Sequence, residues 1–260
     1  MRLGVAATAP FGADVLERLA ARFDVAFCLT RPDKPRGRGL KLAPPPAKTA
    51  AERLGIAVLQ PGRLDASVEL GAETVVVCAY GLLVPDVLLE RALWLNVHPS
   101  LLPRWRGAAP VEREIMAGDS ETGVTIHRTV TELDAGPICA QRAFPVGEDA
   151  GAVYARAAEV AAELLAECLP EPSFAPQPEE GVTYAAKITA ADRELDLADP
   201  EDALRRIRAL SPHIGARAEL QGRRVVVWRA RIEDGRLVPL EVQPEGRRRM
   251  TYAEFLRGLR

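Results

Sequence analysis

A chain of 260 residues that is 48% hydrophobic can bury a sizeable core, as one large or two medium domains. It holds no run of about 18 apolar residues, and Met1 to Val5 leads straight into a strand without a signal-peptide pattern, so no membrane partner is expected and the cytoplasm is the predicted compartment. The net charge of −2 conceals a split: residues 204–260 hold 14 arginines against 6 acids, a balance of +8, which leaves −10 on residues 1–203 and suggests that the basic end meets a polyanion.

In chain order, Leu3 to Thr8 reads as a short apolar strand and Ala13 to Arg22 as an amphipathic helix, with Val15, Leu16, Leu19 and Ala20 on one face. Asp24 to Leu29 is a second strand, Ala47 to Leu54 a second helix and Ile56 to Leu59 a third strand. Glu73 to Tyr80 is a β-branched run suited to a central strand buried on both faces. Strands alternating with helices predict an α/β class with a Rossmann-like parallel sheet, whose ligands belong at the carboxyl ends of the strands. No Gly-x-Gly-x-x-Gly follows the first strand, which disfavours a nicotinamide dinucleotide. Cys28, Cys78, Cys139 and Cys168 lie far apart with no Cys-x-x-Cys, so reduced thiols are expected rather than a metal site or a disulfide framework.

Two connections in this half stand out. Arg31 to Pro46 carries five basic side chains and one acid, and at sixteen residues it is long for a strand-to-helix connection; such loops are functional or disordered. Tyr80-Gly81-Leu82-Leu83-Val84-Pro85 is apolar and hinged on glycine, and taken alone it is equally an ordinary turn packed by leucines.

Leu93 to Val97 predicts a strand that carries Asn96, with His98 directly after it, and the period of two sends both side chains to one face. An amide and an imidazole can both donate to an oxygen that gains negative charge during attack on a carbonyl, and a carboxylate such as Asp134 can orient the imidazole or take a proton. On that pattern alone, Asn-x-His is more often a turn or a hydrogen-bonded strand end. Val111 to Ala117 reads as a helix, and Thr122 to Thr129 as a strand whose His127 is taken for a surface or core histidine. Ile138 to Val146 is a further strand, and Gly151 to Leu169 a long alanine-rich helix that closes a first domain over residues 1–169. Pro170 to Glu180, with four prolines and no periodicity, makes residues 170–181 a linker.

Residues 182–260 are expected to form a second domain. Val182 to Ile188 is a short strand, Asp202 to Leu210 a helix, and Ala216 to Leu220, Val225 to Ala230 and Leu237 to Val242 are strands. A small OB-like β-barrel would fit, and such barrels bind nucleic acids. Arg223, Arg224, Arg229, Arg231 and the cluster Arg247-Arg248-Arg249 are candidate phosphate contacts, or else a solvated arginine surface.

The run Ser100-Leu101-Leu102-Pro103-Arg104-Trp105-Arg106-Gly107-Ala108-Ala109-Pro110 is similar to the signature of the folate-dependent formyltransferases. The part from Arg104 to Pro110, together with Thr183-Tyr184-Ala185-x-Lys187, resembles the members of that family that act on charged initiator tRNA, and the resemblance spans nearly the whole chain. It implies a catalytic trio of Asn96, His98 and Asp134, the last in the matching Leu133-Asp134-x-Gly136 context. It also implies a folate-side turn at Ser100, Leu101, Leu102 and Pro103, with Tyr80, Gly81 and Leu82 against the pterin ring. The reaction implied is transfer of a formyl group from 10-formyltetrahydrofolate to the α-amine of methionyl-initiator tRNA, with no metal and with the chain acting as a monomer. In the basic loop, Arg38 is implied to enter the acceptor arm, with Arg36 and Lys41 as phosphate partners; Arg223, Arg224, Arg247 and Arg248 would follow the tRNA elsewhere.

One departure stands against the pattern: Ile232 to Arg236 connects segments between which the family usually carries further strands, so the barrel is expected to be short. Two other classes stay open. A formyltransferase for a small amine would share the trio but have no use for the basic loop, and a non-catalytic RNA-binding protein would keep the basic surfaces and lose the trio.

Overall fold

The structure is a computed structural model and describes residues 1–36 and 40–259. The chain divides into two compact units, one of Met1–Arg106, Gly123–Ala143 and Ala155–Val182, the other of Gly107–Thr122, Phe144–Tyr154 and Thr183–Arg260. Among the described residues no helix is long and apolar enough to cross a membrane.

The N-terminal elements alternate as the periodicity predicts: β1 (Arg2–Ala7), α1 (Pro10–Ala20), β2 (Asp24–Leu29), a short pair β3 (Lys34–Arg36) and β4 (Lys41–Ala43), α2 (Pro46–Arg53), β5 (Ala57–Leu59), β6 (Thr74–Cys78), the one-turn α3 (Asp86–Leu89) and β7 (Leu93–His98). After β8 (Arg106–Gly107) come α4 (Pro110–Ala117), β9 (Glu121–Arg128), β10 (Ile138–Pro145) and α5 (Ala150–Cys168). The seven-stranded sheet has the order β10-β9-β7-β6-β1-β2-β5. Its five strands from β7 to β5 are parallel, and β9 runs antiparallel beside β7, which places Asn96 opposite His127 and His98 opposite Thr125. The parallel strands read as continuous apolar runs because both faces are covered. Phe27, Leu29, Val75, Val77 and Trp94 belong to one buried cluster, in which the Trp94 indole donates to the Leu88 carbonyl at 2.7 Å.

Three helix starts fall earlier than the apolar periodicity suggests. Pro10, Pro46 and Pro110 occupy the first turn of α1, α2 and α4. A proline there has the φ a helix needs, and its missing N–H would have had no partner. The long basic connection also holds more order than a loop: β3 and β4 pair antiparallel, Lys34 with Ala43 and Arg36 with Lys41.

The second unit contains β11 (Tyr184–Ala185), a 3-10 turn (Ala191–Arg193), α6 (Pro200–Leu210), β12 (Ala216–Leu220), β13 (Arg223–Glu233), β14 (Arg236–Pro244), β15 (Met250–Thr251) and α7 (Tyr252–Arg257). The last four strands form one antiparallel sheet in sequence order. Ile207 and Leu210 of α6, Val225 and Val227 of β13, Val242 of β14 and Phe255 of α7 make its core. Two hairpins are closed by two-residue turns, Gln221-Gly222 and Asp234-Gly235, with positive φ at all four residues. That is the geometry of a type I′ turn, whose twist matches the flanking strands. Asp234-Gly235 is where further strands were expected to be missing, and the chain there turns back on itself directly.

Candidate active site

The carboxyl end of β7 delivers Asn96 and His98, and the turn after β9 delivers Asp134. The Asn96 side-chain nitrogen lies 3.1 Å from Asp134 Oδ1, and His98 Nδ1 lies 3.7 Å from Asp134 Oδ2. His98 and Asp134 are buried and Asn96 is half-buried. The three residues singled out by sequence therefore share one site. Position two apart on a strand carries the first two to one face, and the backbone at Asp134 does the rest. Asp134 sits at φ +50°, a left-handed conformation that aspartate tolerates better than most side chains. Gly136 is dictated by space, because a β-carbon there would lie 1.7 Å from the Arg128 carbonyl oxygen.

Both imidazoles at the site are tied to backbone carbonyls, which can only accept. His98 Nε2 donates to the Trp105 carbonyl at 2.8 Å, so its Nδ1 edge faces Asp134. Trp105 holds φ +63° to place that carbonyl. The second imidazole belongs to His127, which the sequence left as a surface or core histidine. It is buried, its Nδ1 lies 3.0 Å from the Arg128 carbonyl, and its Nε2 lies 3.2 Å from the Asn96 side-chain nitrogen and 3.7 Å from Asp134 Oδ1. Burial, and then the neighbouring His98, push its imidazole down to about 4, so the ring is neutral at physiological pH. The signal that could have found it is pairing register: an antiparallel neighbour of β7 had to set one residue of Thr122 to Thr129 against Asn96.

Gln177 was also missed, because it lies in the proline-rich stretch read as a linker. Its amide donates to the carbonyls of Asp134 (2.7 Å) and Gly136 (2.8 Å), while its oxygen accepts from Arg106 Nη2 (2.7 Å) and Nε (3.1 Å). The same stretch is anchored by backbone hydrogen bonds between Ala175 and Ile138, and Phe174 lies under the Arg128 guanidinium, 4.9 Å from ring centre to Cζ. Arg106 of the Arg-Trp-Arg-Gly run thus acts on the Asp134 turn through Gln177.

Asn96, His127 and Asp134 line the inner end of a cavity of about 330 Å³, walled by Leu82, Val84 and Leu133. Leu83 and Leu133 are 78% and 53% exposed, so the mouth presents apolar side chains to solvent. Of the folate-side residues expected from sequence, Leu82 lies on this cavity. Tyr80 is buried beside it in the core, where burial pushes its phenol up to about 12, and Gly81 takes φ +77° in the turn. Ser100, Leu101, Leu102 and Pro103 do not line the cavity. They form a turn held from behind: Thr125 Oγ1 donates to the Ser100 carbonyl (2.7 Å) and accepts from the Leu102 N–H (3.1 Å) and from Gln141 (2.7 Å).

The basic candidates are spread out. Arg38 lies outside the described residues, Arg36 is placed only as backbone of β3, and Lys41 is exposed on β4. In the second unit Arg223, Arg224, Arg247 and Arg248 are exposed, with Arg224 3.3 Å from Glu194. Arg249, beside them, is committed elsewhere: it stacks 3.5 Å over Trp228 and donates to the Pro212 carbonyl. The two sequence runs that carried the resemblance also meet here, since Ala108 N–H donates to the Ala185 carbonyl at 2.9 Å. Gly107, at φ +125°, allows the approach; a β-carbon would stand 2.8 Å from that oxygen.

The profile of the formyl transferase family matches residues 5–169. The methionyl-tRNA formyltransferase of Paracoccus denitrificans is 42% identical over 292 aligned residues, which cover 100% of this chain and 98% of that protein. Among solved structures, methionyl-tRNA formyltransferase from Clostridium thermocellum superposes with a TM-score of 0.68 at 17% identity, over 94% of this chain and 98% of that one. HypX from Aquifex aeolicus in complex with tetrahydrofolic acid also gives 0.68 at 18% identity, over 98% of this chain and 46% of that one. The solved structures speak to the fold, and the sequence matches to descent: the chain belongs to the formyl transferase family, among its methionyl-tRNA formyltransferases.

Proposed function

We propose that this chain transfers a formyl group from 10-formyltetrahydrofolate to the α-amine of methionine on charged initiator tRNA. The observation that carries the reading is the convergence of Asn96, His98 and Asp134, with Asn96 and Asp134 lining an apolar-mouthed cavity, in a chain matched along its whole length by enzymes of that name. The cavity fits the pterin end of the donor: exposed Leu83 and Leu133 offer apolar surface for a flat ring, and Leu82 and Val84 wall its depth. The donor supplies an already activated formyl group, so the chain has to orient it, stabilise charge and move a proton.

As the amine nitrogen bonds to the formyl carbon, negative charge gathers on the formyl oxygen, and Asn96 and His98 are the donors assigned to it. Asp134 orients His98 and takes the proton lost by the amine, directly or through water. The C–N bond to the folate then breaks and the proton passes to the departing nitrogen. His98 Nδ1 faces Asp134 Oδ2 across 3.7 Å, which sets the carboxylate beside the ring that it orients.

For the tRNA, Arg38 is assigned to the acceptor end, with Arg36 and Lys41 on neighbouring phosphates; Arg223, Arg224, Arg247 and Arg248 follow the backbone from the C-terminal domain. That domain, residues 182–260, is read as a trimmed OB-like barrel after a catalytic domain at 1–169 and a connecting segment at 170–181. Ser100, Leu101, Leu102 and Pro103 are assigned to the folate-side turn, and the enzyme works as a cytoplasmic monomer. The test is a formylation assay with 10-formyltetrahydrofolate and charged initiator tRNA, beside charged elongator methionine tRNA and a panel of small amines. Formylation of the initiator alone is expected; activity confined to small amines would overturn the assignment.

A further inference from the structure

We propose that His127 is a positioning residue for formyl transfer, locked as the Nδ1–H tautomer so that its bare Nε2 fixes which way the Asn96 carboxamide faces. The inference rests on the reaction assigned above and adds a residue to it. The Arg128 carbonyl, 3.0 Å from His127 Nδ1, has no hydrogen to give, so the nitrogen must supply it. With the ring neutral, Nε2 is left as an acceptor. Asn96 then has one compatible orientation: its NH2 toward His127 at 3.2 Å, because the flipped amide would set oxygen lone pairs against a nitrogen lone pair. Asp134 Oδ1, 3.1 Å from the same amide nitrogen, demands the same orientation.

Both Asn96 N–H groups are therefore engaged within the protein. The two bonds differ in one respect. Asp134 changes charge when it receives the amine's proton, and a protonated carboxyl holds an N–H less strongly, so the second N–H becomes available to the formyl oxygen as charge gathers there. The bond to His127 does not depend on that proton and keeps the amide in place throughout. His127 itself is buried and held at Nδ1 by the Arg128 carbonyl.

Two measurements test this. In protein labelled with 15N-histidine, where only His98, His127 and His213 contribute, His127 at pH 7 is expected to show a protonated Nδ1 and an unprotonated Nε2, identified by comparison with the His127→Gln spectrum. A protonated Nε2 would overturn the proposal. In kinetics, His127→Gln keeps an acceptor oxygen near the place of Nε2, whereas His127→Asn keeps only an atom near Nδ1. His127→Gln is expected within about fivefold of wild-type kcat, and His127→Asn down about 10- to 100-fold with KM for both substrates unchanged. Wild-type kcat in His127→Asn, or equal losses in both variants that track their Tm, would refute a positioning role. A wild-type protein that formylates nothing would count against the reaction alone, since the tautomer is read without turnover.

Discussion

Replacing Gln177 with methionine tests whether the Asp134 turn is held from outside the catalytic sheet. Methionine keeps the length and much of the volume but loses two donors to the carbonyls of Asp134 and Gly136 and the acceptor for Arg106. At about 1 kcal/mol for each neutral hydrogen bond and about 1.5–3 kcal/mol where a charged group takes part, complete loss would cost roughly 3–5 kcal/mol. Gln177 is half-buried, so water can replace part of this, and about 2–4 kcal/mol is expected to remain. For a chain of this size that lowers Tm by about 5–15 °C. The kinetic effect follows from placement: an Asp134 carboxylate displaced by about 1 Å loses on the order of 100-fold in kcat. The assay is steady-state formylation at a temperature well below the variant's own Tm, so that unfolding does not enter. A kcat within twofold of wild type, accompanied by the fall in Tm, would show that the clamp stabilises the fold without positioning Asp134.

Asp134→Asn and His98→Ala are each expected to lower kcat by about 100- to 1,000-fold, with tRNA binding by filter retention unchanged. Arg38→Ala should leave kcat at saturating tRNA near wild type and raise KM for the tRNA about tenfold, with a shallower salt dependence of binding. Gly136→Ala should fail to accumulate as folded protein or melt far below wild type, because the new methyl meets a backbone oxygen at 1.7 Å; a wild-type Tm would contradict the packing described. The depressed pKa of His127 makes stability depend on pH. The unfolded chain takes up this proton near pH 6.5 and the folded one only near 4, so stability is complete above 6.5 and is lost as pH falls from there to 4. Unfolding by denaturant across that range should show the loss, and His127→Gln should reduce it.

The alternating strands and helices of the first unit were legible in the sequence because apolar periodicity is imposed by burial on one or both faces. That Asn96 and His98 share a face was legible through the period of two, whereas Asp134 was joined to them only by the family resemblance. What escaped was whatever depended on a partner distant in sequence. His127 looks inert until β9 is placed antiparallel to β7. Gln177 looks like linker because its partners are backbone atoms forty residues away. The helix starts at Pro10, Pro46 and Pro110 escaped for a local reason, since proline was weighed as a breaker where it acts as a first-turn residue. At Ser100 to Pro103 the signature was legible but its anchoring was not: the Ser100 hydroxyl, the Ser100 and Leu102 carbonyls and the Leu102 N–H bond to Thr125, Gln141 and Arg104.

The path of residues 170–180 bears on how the enzyme can be divided. The family match ends at residue 169, one residue past the end of α5 at Cys168, and a protein engineer would cut there. Such a fragment would keep every strand of the seven-stranded sheet and all three members of the trio. It would lack Ala175, the partner of Ile138 at the start of β10, and Gln177, which spans the Asp134 turn. A cut at residue 169 therefore removes part of the first unit itself, and the piece that looks like a tether belongs to that folded body.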